Sequence, residues 1–205
     1  MEHALIELLS VADKQYWIQN GAELEQVLAK ALRRNYLTKA IVSAFLVLVG
    51  TVRLPATTGE FSAQKNFVVN VSDNAEVKIY QLSTKFKELF LDDVVGAETQ
   101  QIKRKLHCNE FTKNLSDESI IAQLGGDKKA ETFLLDVFAC MKMQGKGEQG
   151  ILLTNGLPNI FYVRDTDGVL HSVRLFWNTY GWFLSAGKLG HPGGWDRGCR
   201  VLSFN

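Results

Sequence analysis

The chain is poor in the residues and strings that announce chemistry. Among its 205 residues are three cysteines, Cys108, Cys140 and Cys199. The number is odd, and no two stand at the spacing of a metal knuckle. A disulfide framework is therefore not expected, and reduced thiols in the cytoplasm are the simpler reading. No sign of charge dominates either: 23 basic residues face 22 acidic ones, for a net charge of +1. That balance gives no electrostatic case for nucleic acid or for a membrane surface.

Long apolar runs are also missing. The most apolar stretch, "AIVSAFLVLVG" from Ala40, lies in only thirteen uncharged residues between Lys39 and Arg53. A spanning helix needs about 20, so this is read as a buried core element. No basic region precedes an apolar one at the N-terminus, so no signal peptide is expected. No G-x-x-x-x-G-K-[ST] string occurs, which removes P-loop chemistry, and no G-x-S-x-G string suggests a serine hydrolase. Internal repeats and low-complexity segments are absent.

What is present is an ordinary globular composition, 46% hydrophobic and 22% charged. A chain of this size buries enough surface to be stable without a disulfide or a metal. The densest basic run, Lys103-Arg104-Lys105, reads as a solvated helix face.

The first third reads as helical. Ala4, Leu5, Leu8, Leu9 and Ala12 share one helix face. Asn20 caps a second helix carrying Leu24, Val27, Leu28, Ala31 and Leu32. Residues 36–49 read as a third, central helix, although their β-branched content leaves a strand open from Phe45 onward. Pro55 to Ser62 is the one candidate for an internal boundary. Phe67, Val69 and Val71, then Val77 and Ile79, suggest a short hairpin. Ser83 caps a helix with Phe86, Leu89 and Phe90 on one side. A helix from Asp117 to Leu124 ends at Gly125-Gly126. Asp127 then starts the most regular helical stripe in the chain: Ala130, Phe133, Leu134, Val137, Phe138 and Met141.

After Gly150 the apolar period changes to two. "ILLT", "PNIFYV", "VLHSVRLFW", "WFLSAGKL" and "CRVLSF" read as four to five strands joined by hairpin turns. The expected fold class is α+β. A helical N-terminal part, about 1–54, packs with an antiparallel meander, about 150–205. A hairpin and helices fill about 63–145, and all of 1–205 is read as one domain.

"HSVRLFWNTYGWF", His171 to Phe183, is the richest local signal. A four-residue turn at Asn178–Gly181 sets Trp177 opposite Trp182, Leu175 opposite Leu184 and Val173 opposite Ala186. Side chains alternate across a strand, so these six share a face that must be buried, against the 130–141 helix. The other face carries Phe176 opposite Phe183, then Arg174 opposite Ser185, then Ser172. It is mixed, as a partly solvated face should be.

The remaining strings have bland readings. "GKGEQG", Gly145 to Gly150, matches G-x-G-x-x-G. Its helix precedes the string and a strand follows, the wrong order for a dinucleotide site. "DTDG", Asp165 to Gly168, opens like a calcium loop, but the twelfth position is Phe176, where a glutamate is needed. His171, His191 and Cys199 are ligand types without ligand spacing, so no metal and no cofactor is expected. Two functional readings follow. The first is a non-catalytic, soluble, intracellular binding or adaptor module that recognises another protein. Its contact surface is the outer sheet face (Arg174, Phe176, Phe183) with the 189–198 loop (His191, Trp195, Arg197), because Trp and Arg are favoured interface anchors. The second is a cysteine hydrolase in which His171 deprotonates Cys108; the thiol-then-imidazole order resembles that of papain-like hydrolases. Cys140 has the same order, but it sits near the C-terminal end of a helix, which raises a thiol pKa. An enzyme is the less favoured of the two readings.

Overall fold

The computed structural model describes residues 45–55, 60–92, 98–99 and 104–204, together with position 30. From Phe45 to Asn205 the chain forms one compact unit. Its strands are β1 (Leu46–Leu54), β2 (Glu60–Phe61), β3 (Ile79–Leu82), β4 (Glu98–Thr99), β5 (Arg104–Phe111), β6 (Glu131–Thr132), β7 (Asn159–Arg164), β8 (Leu170–Asn178), β9 (Gly181–Lys188) and β10 (Arg200–Phe204). Its helices are α1 (Ala63–Asn66), α2 (Thr84–Phe90), α3 (Asp117–Leu124), α4 (Asp127–Ala130) and α5 (Leu134–Lys142).

Eight strands make one sheet in the order β1-β5-β10-β7-β8-β9-β3, with β6 beside β7. β7, β8 and β9 are consecutive and antiparallel. β10 runs parallel to β7 and antiparallel to β5, and β3 runs parallel to β9. The architecture is therefore a mixed sheet that dominates the unit. It corrects the expectation of a helical N-terminal part packed with an antiparallel meander. The reason is long-range pairing: β10 inserts between β5 and β7, and β3 joins the far edge. Hairpin signals in the sequence report only neighbours along the chain.

Several elements differ from the local reading. Leu46–Leu54 is an edge strand paired with β5, not the end of a central helix. Val47, Val49, Thr51 and Val52 make it a better strand than helix. β5 lies where Lys103-Arg104-Lys105 suggests a solvated helix face. Charge at its start masks an alternation that buries Leu106 and Cys108. Arg104 is paired with the buried Asp136 at 3.0 Å. The 67–79 hairpin shrinks to one antiparallel bridge, Asn70 to Ile79. "ILLT" forms no strand. The helices expected at 4–12 and 20–32 lie outside the described residues, Lys30 excepted.

The stripe from Ala130 to Met141 is not one helix. Glu131 and Thr132 extend and pair with Tyr162 and Val163 of β7. The helix restarts after Phe133, whose N–H donates to Asp136 Oδ2 at 3.0 Å. The break lets one stripe serve two cores. Ala130 packs on one side of the sheet, while Leu134, Leu135, Val137, Phe138 and Met141 pack on the other. No straight helix could reach both.

The sheet is covered on both faces around β7. Phe161 and Val163 join the core under α5, with Val173, Leu175, Trp182, Leu184 and Ala186. Ile160 and Tyr162 join a smaller core with Phe111, Leu115, Ile120, Trp195 and Val201. A strand buried on both faces reads as a continuous apolar run, as "NIFYV" does. The hairpin has the expected register, with Trp177 opposite Trp182, Phe176 opposite Phe183 and Arg174 opposite Ser185. Among the described residues no helix is long and apolar enough to cross a membrane.

Candidate functional site

The second face of β8 and β9 brings together five of the residues singled out in the sequence. Phe176 and Phe183 stack with ring centroids 5.9 Å apart at 26°. Both are half-buried. One step along the strands, the Arg174 guanidinium carbon stands 5.5 Å from the centre of the Trp195 ring. His191 stacks on the same indole at 4.5 Å. Its Nδ1 lies 3.0 Å from Gly194 O, an acceptor, so that nitrogen carries the proton. Arg197 is exposed farther along the loop, its backbone N–H donating to Asn114 Oδ1.

Trp195 is no exposed anchor. It is buried, and it exchanges backbone hydrogen bonds with Leu115 at 2.9 and 2.7 Å. Its Nε1 donates to Asp117 Oδ1 at 2.7 Å. Asp117 organises the whole loop. Tyr162 Oη donates to its Oδ1 at 2.8 Å, and the N–H groups of Gly190 and His191 donate to its Oδ2 at 2.8 and 3.1 Å. Burial first, and then the neighbouring Asp117 charge, push the Tyr162 hydroxyl up, so it stays a donor. Four donors on one fully buried carboxylate is how a buried charge becomes tolerable. Sequence reasoning missed this role. In the sequence, Asp117 after the capping Ser116 looks like an ordinary first-turn acid.

Arg174 is not satisfied in this way, and buried Gln123 Oε1 and His171 Nδ1 also lack a partner among the described residues. The Arg174 Nε is buried and meets no acceptor among the described residues. Burial lowers its affinity for its proton, and the Asp117 charge opposes that. The Ser185 hydroxyl stands across the strand pair. Gly187 lies next along β9, and a Cβ there would come within 2.8 Å of the guanidinium. Ser185 stands opposite Arg174 as the expected register has it, whereas Gly187 escaped the sequence reading, since only the packed side chain shows how close the guanidinium comes.

The thiol and imidazole do not come together. Cys108 is on β5 and His171 on β8, with β10 and β7 between them. Three strand spacings are about 14 Å, far beyond a hydrogen bond. Cys108 Sγ faces the carbonyl of Ile151 at 3.7 Å, and burial pushes its pKa up to about 12. A neutral, buried thiol is a poor nucleophile. His171 Nε2 instead lies 2.7 Å from Asp165 Oδ2, closing the β7–β8 turn. Burial pushes Asp165 up, but the N–H groups of Val169, His171 and Asp167 outweigh it and hold the carboxyl below its ordinary value. Asp165 Oδ1 also accepts from the N–H groups of Asp167 and Val169, so "DTDG" folds as a turn around its own carboxylate.

The glycines of "GKGEQG" are explained by close packing. A Cβ on Gly147 would fall 2.1 Å from the Trp177 ring, and one on Gly145 would fall 2.1 Å from Glu76 O. On the α5 side, a cleft of about 320 Å³ is lined by Phe61, Leu135, Phe138, Ala139 and Met143. Lys142 at its rim is paired with Glu76 at 2.7 Å, so the cleft offers no reactive group.

No protein-family model, no curated protein and no solved structure matches the chain.

Proposed function

We propose that the protein is a non-catalytic binding module, an adaptor of the cytoplasm. It takes another protein on the second sheet face at Arg174, Phe176 and Phe183, beside the loop that carries His191, Trp195 and Arg197. One observation carries this reading: Arg174 is partly buried against the Trp195 ring, with its Nε donor unmade among the described residues. An unmade buried donor costs stability, typically about 1–3 kcal/mol. Arg174 as a whole is only partly buried, and a partner that draws its guanidinium outward would supply the missing acceptor. The half-buried Phe pair beside it supplies apolar contact area. Free, buried cysteines at all three positions support a reducing compartment.

The test is selection of random peptides displayed on phage, run in parallel on the wild-type chain and on Phe183→Ser. Binders that compete with one another and are lost on the variant support the reading. No enrichment, or equal enrichment on both, overturns it.

A further inference from the structure

We infer that the anchor group of the partner is a carboxylate, held by Arg174 and Ser185, on an extended peptide segment with an apolar side chain two residues away. This rests on the binding reading above and names what that surface recognises.

The first ground is the contrast among the arginines. Arg104, Arg164 and Arg200 are also partly buried, and each meets a carboxylate: Asp136 at 3.0 Å, Glu131 at 2.9 Å and Glu110 at 3.0 Å. Arg174 meets Trp195 and no acceptor among the described residues. The nearby Asp117 does not fill the role, because its oxygens already accept from Tyr162, Trp195, Gly190 and His191. A guanidinium presents a planar fork of donors that matches a carboxylate.

The second ground is the immediate frame. Ser185 stands directly opposite Arg174 in the strand pair, and its hydroxyl can donate. It is a second donor for the same anion. Gly187 leaves the room that the guanidinium occupies, since a Cβ there would crowd it at 2.8 Å.

The third ground is spacing. Phe176 is two residues from Arg174 on the same face, so the stacked Phe pair begins about 6.5–7 Å away. An extended peptide repeats its same-side residues at that interval, so an acidic residue over Arg174 sets the residue two positions away over Phe176 and Phe183.

Charge selects a carboxylate over a phosphate. Among the described residues, the charged group that acts on Arg174 is the buried Asp117. A dianion would face one cation with an anion behind it, whereas a monoanion matches the single guanidinium.

The experiment follows the Arg174 Nε–H and Phe183 amide resonances of the full chain during titration with 3-phenylpropanoate, 3-phenylpropanamide and inorganic phosphate. The acid is expected to shift both resonances saturably, with the amide and phosphate about tenfold weaker or worse. Gly187→Ala, which displaces the guanidinium, should weaken the acid alone, and Arg174→Gln should abolish the difference between acid and amide. Peptides from the phage selection should carry Asp or Glu two positions from an apolar residue. If acid and amide bind alike, if phosphate binds tighter, or if selected peptides lack the acid, the carboxylate inference falls and the binding surface stands. If no peptide is enriched at all, the binding reading itself falls. The acid–amide comparison uses the wild-type protein, so its outcome does not depend on a variant folding.

Discussion

Asp117 Oδ1 and Trp195 Nε1 lie 2.7 Å apart, joining the first turn of α3 to a loop 78 residues away. With Tyr162, Gly190 and His191 on the same carboxylate, that bond sets the shape of the surface beside Arg174. The loop therefore owes its position to a buried acid as well as to its own glycines, since a Cβ on Gly194 would fall 2.7 Å from Leu115 O.

Replacing that acid should release the loop. Asp117→Asn keeps the size but turns one acceptor into a donor facing donors. Stability should fall by about 2–4 kcal/mol, the range for hydrogen bonds to a buried charge. Urea unfolding measures the loss, and hydrogen exchange should speed up at the Gly190 and His191 amides. Unchanged exchange there would show that Asp117 does not hold the loop.

The thiols should be silent in the native state. Burial pushes Cys108 from its ordinary 9.0 to about 12 and Cys199 to about 11, and it also raises Cys140. Labelling with iodoacetamide near pH 8 should be slow until the chain unfolds. Unfolded thiols lose their protons first, so stability is intact below pH 9 and falls between about pH 9 and 12, by up to about 1.4 kcal/mol per pH unit for each group. Cys108→Ala should flatten that alkaline slope; an identical slope would mean that the thiol is not shielded.

Gly147 and Gly193 separate packing from backbone strain. Both have positive φ, 78° and 81°, but only a Cβ on Gly147 meets an obstacle, the Trp177 ring. Gly193→Ala should cost about 1–2 kcal/mol, the left-handed penalty. Gly147→Ala adds overpacking and should cost about 2–5 kcal/mol in all. Chemical denaturation of the two variants side by side decides it, and equal losses would remove the indole contact as a cause.

The Phe176–Phe183 stack should matter little to folding. A cross-strand aromatic pair contributes roughly 0.2–1 kcal/mol. A double-mutant cycle with Phe176→Ser and Phe183→Ser should return a coupling in that range. A coupling well above it would make the pair a structural element and weaken its use as a free contact surface.

Local sequence determined what neighbours along the chain decide. The hairpin register, the division of Trp177 and Trp182 from Phe176 and Phe183, the cap at Ser83 and the stop at Gly125 are all legible. Each follows from alternation, a turn or a cap within a few residues. Tertiary structure alone decided the rest. β10 enters between β5 and β7, and β5 hides its alternation behind its charged start. A regular helical stripe breaks at Glu131–Thr132, because sheet pairing and two separate cores outweigh helical periodicity. The same holds for function. Composition marks Arg174 as one arginine among many. Only the packed sheet, which gives Arg104, Arg164 and Arg200 their carboxylates and commits Asp117 to other donors, leaves Arg174 with a donor unmade among the described residues.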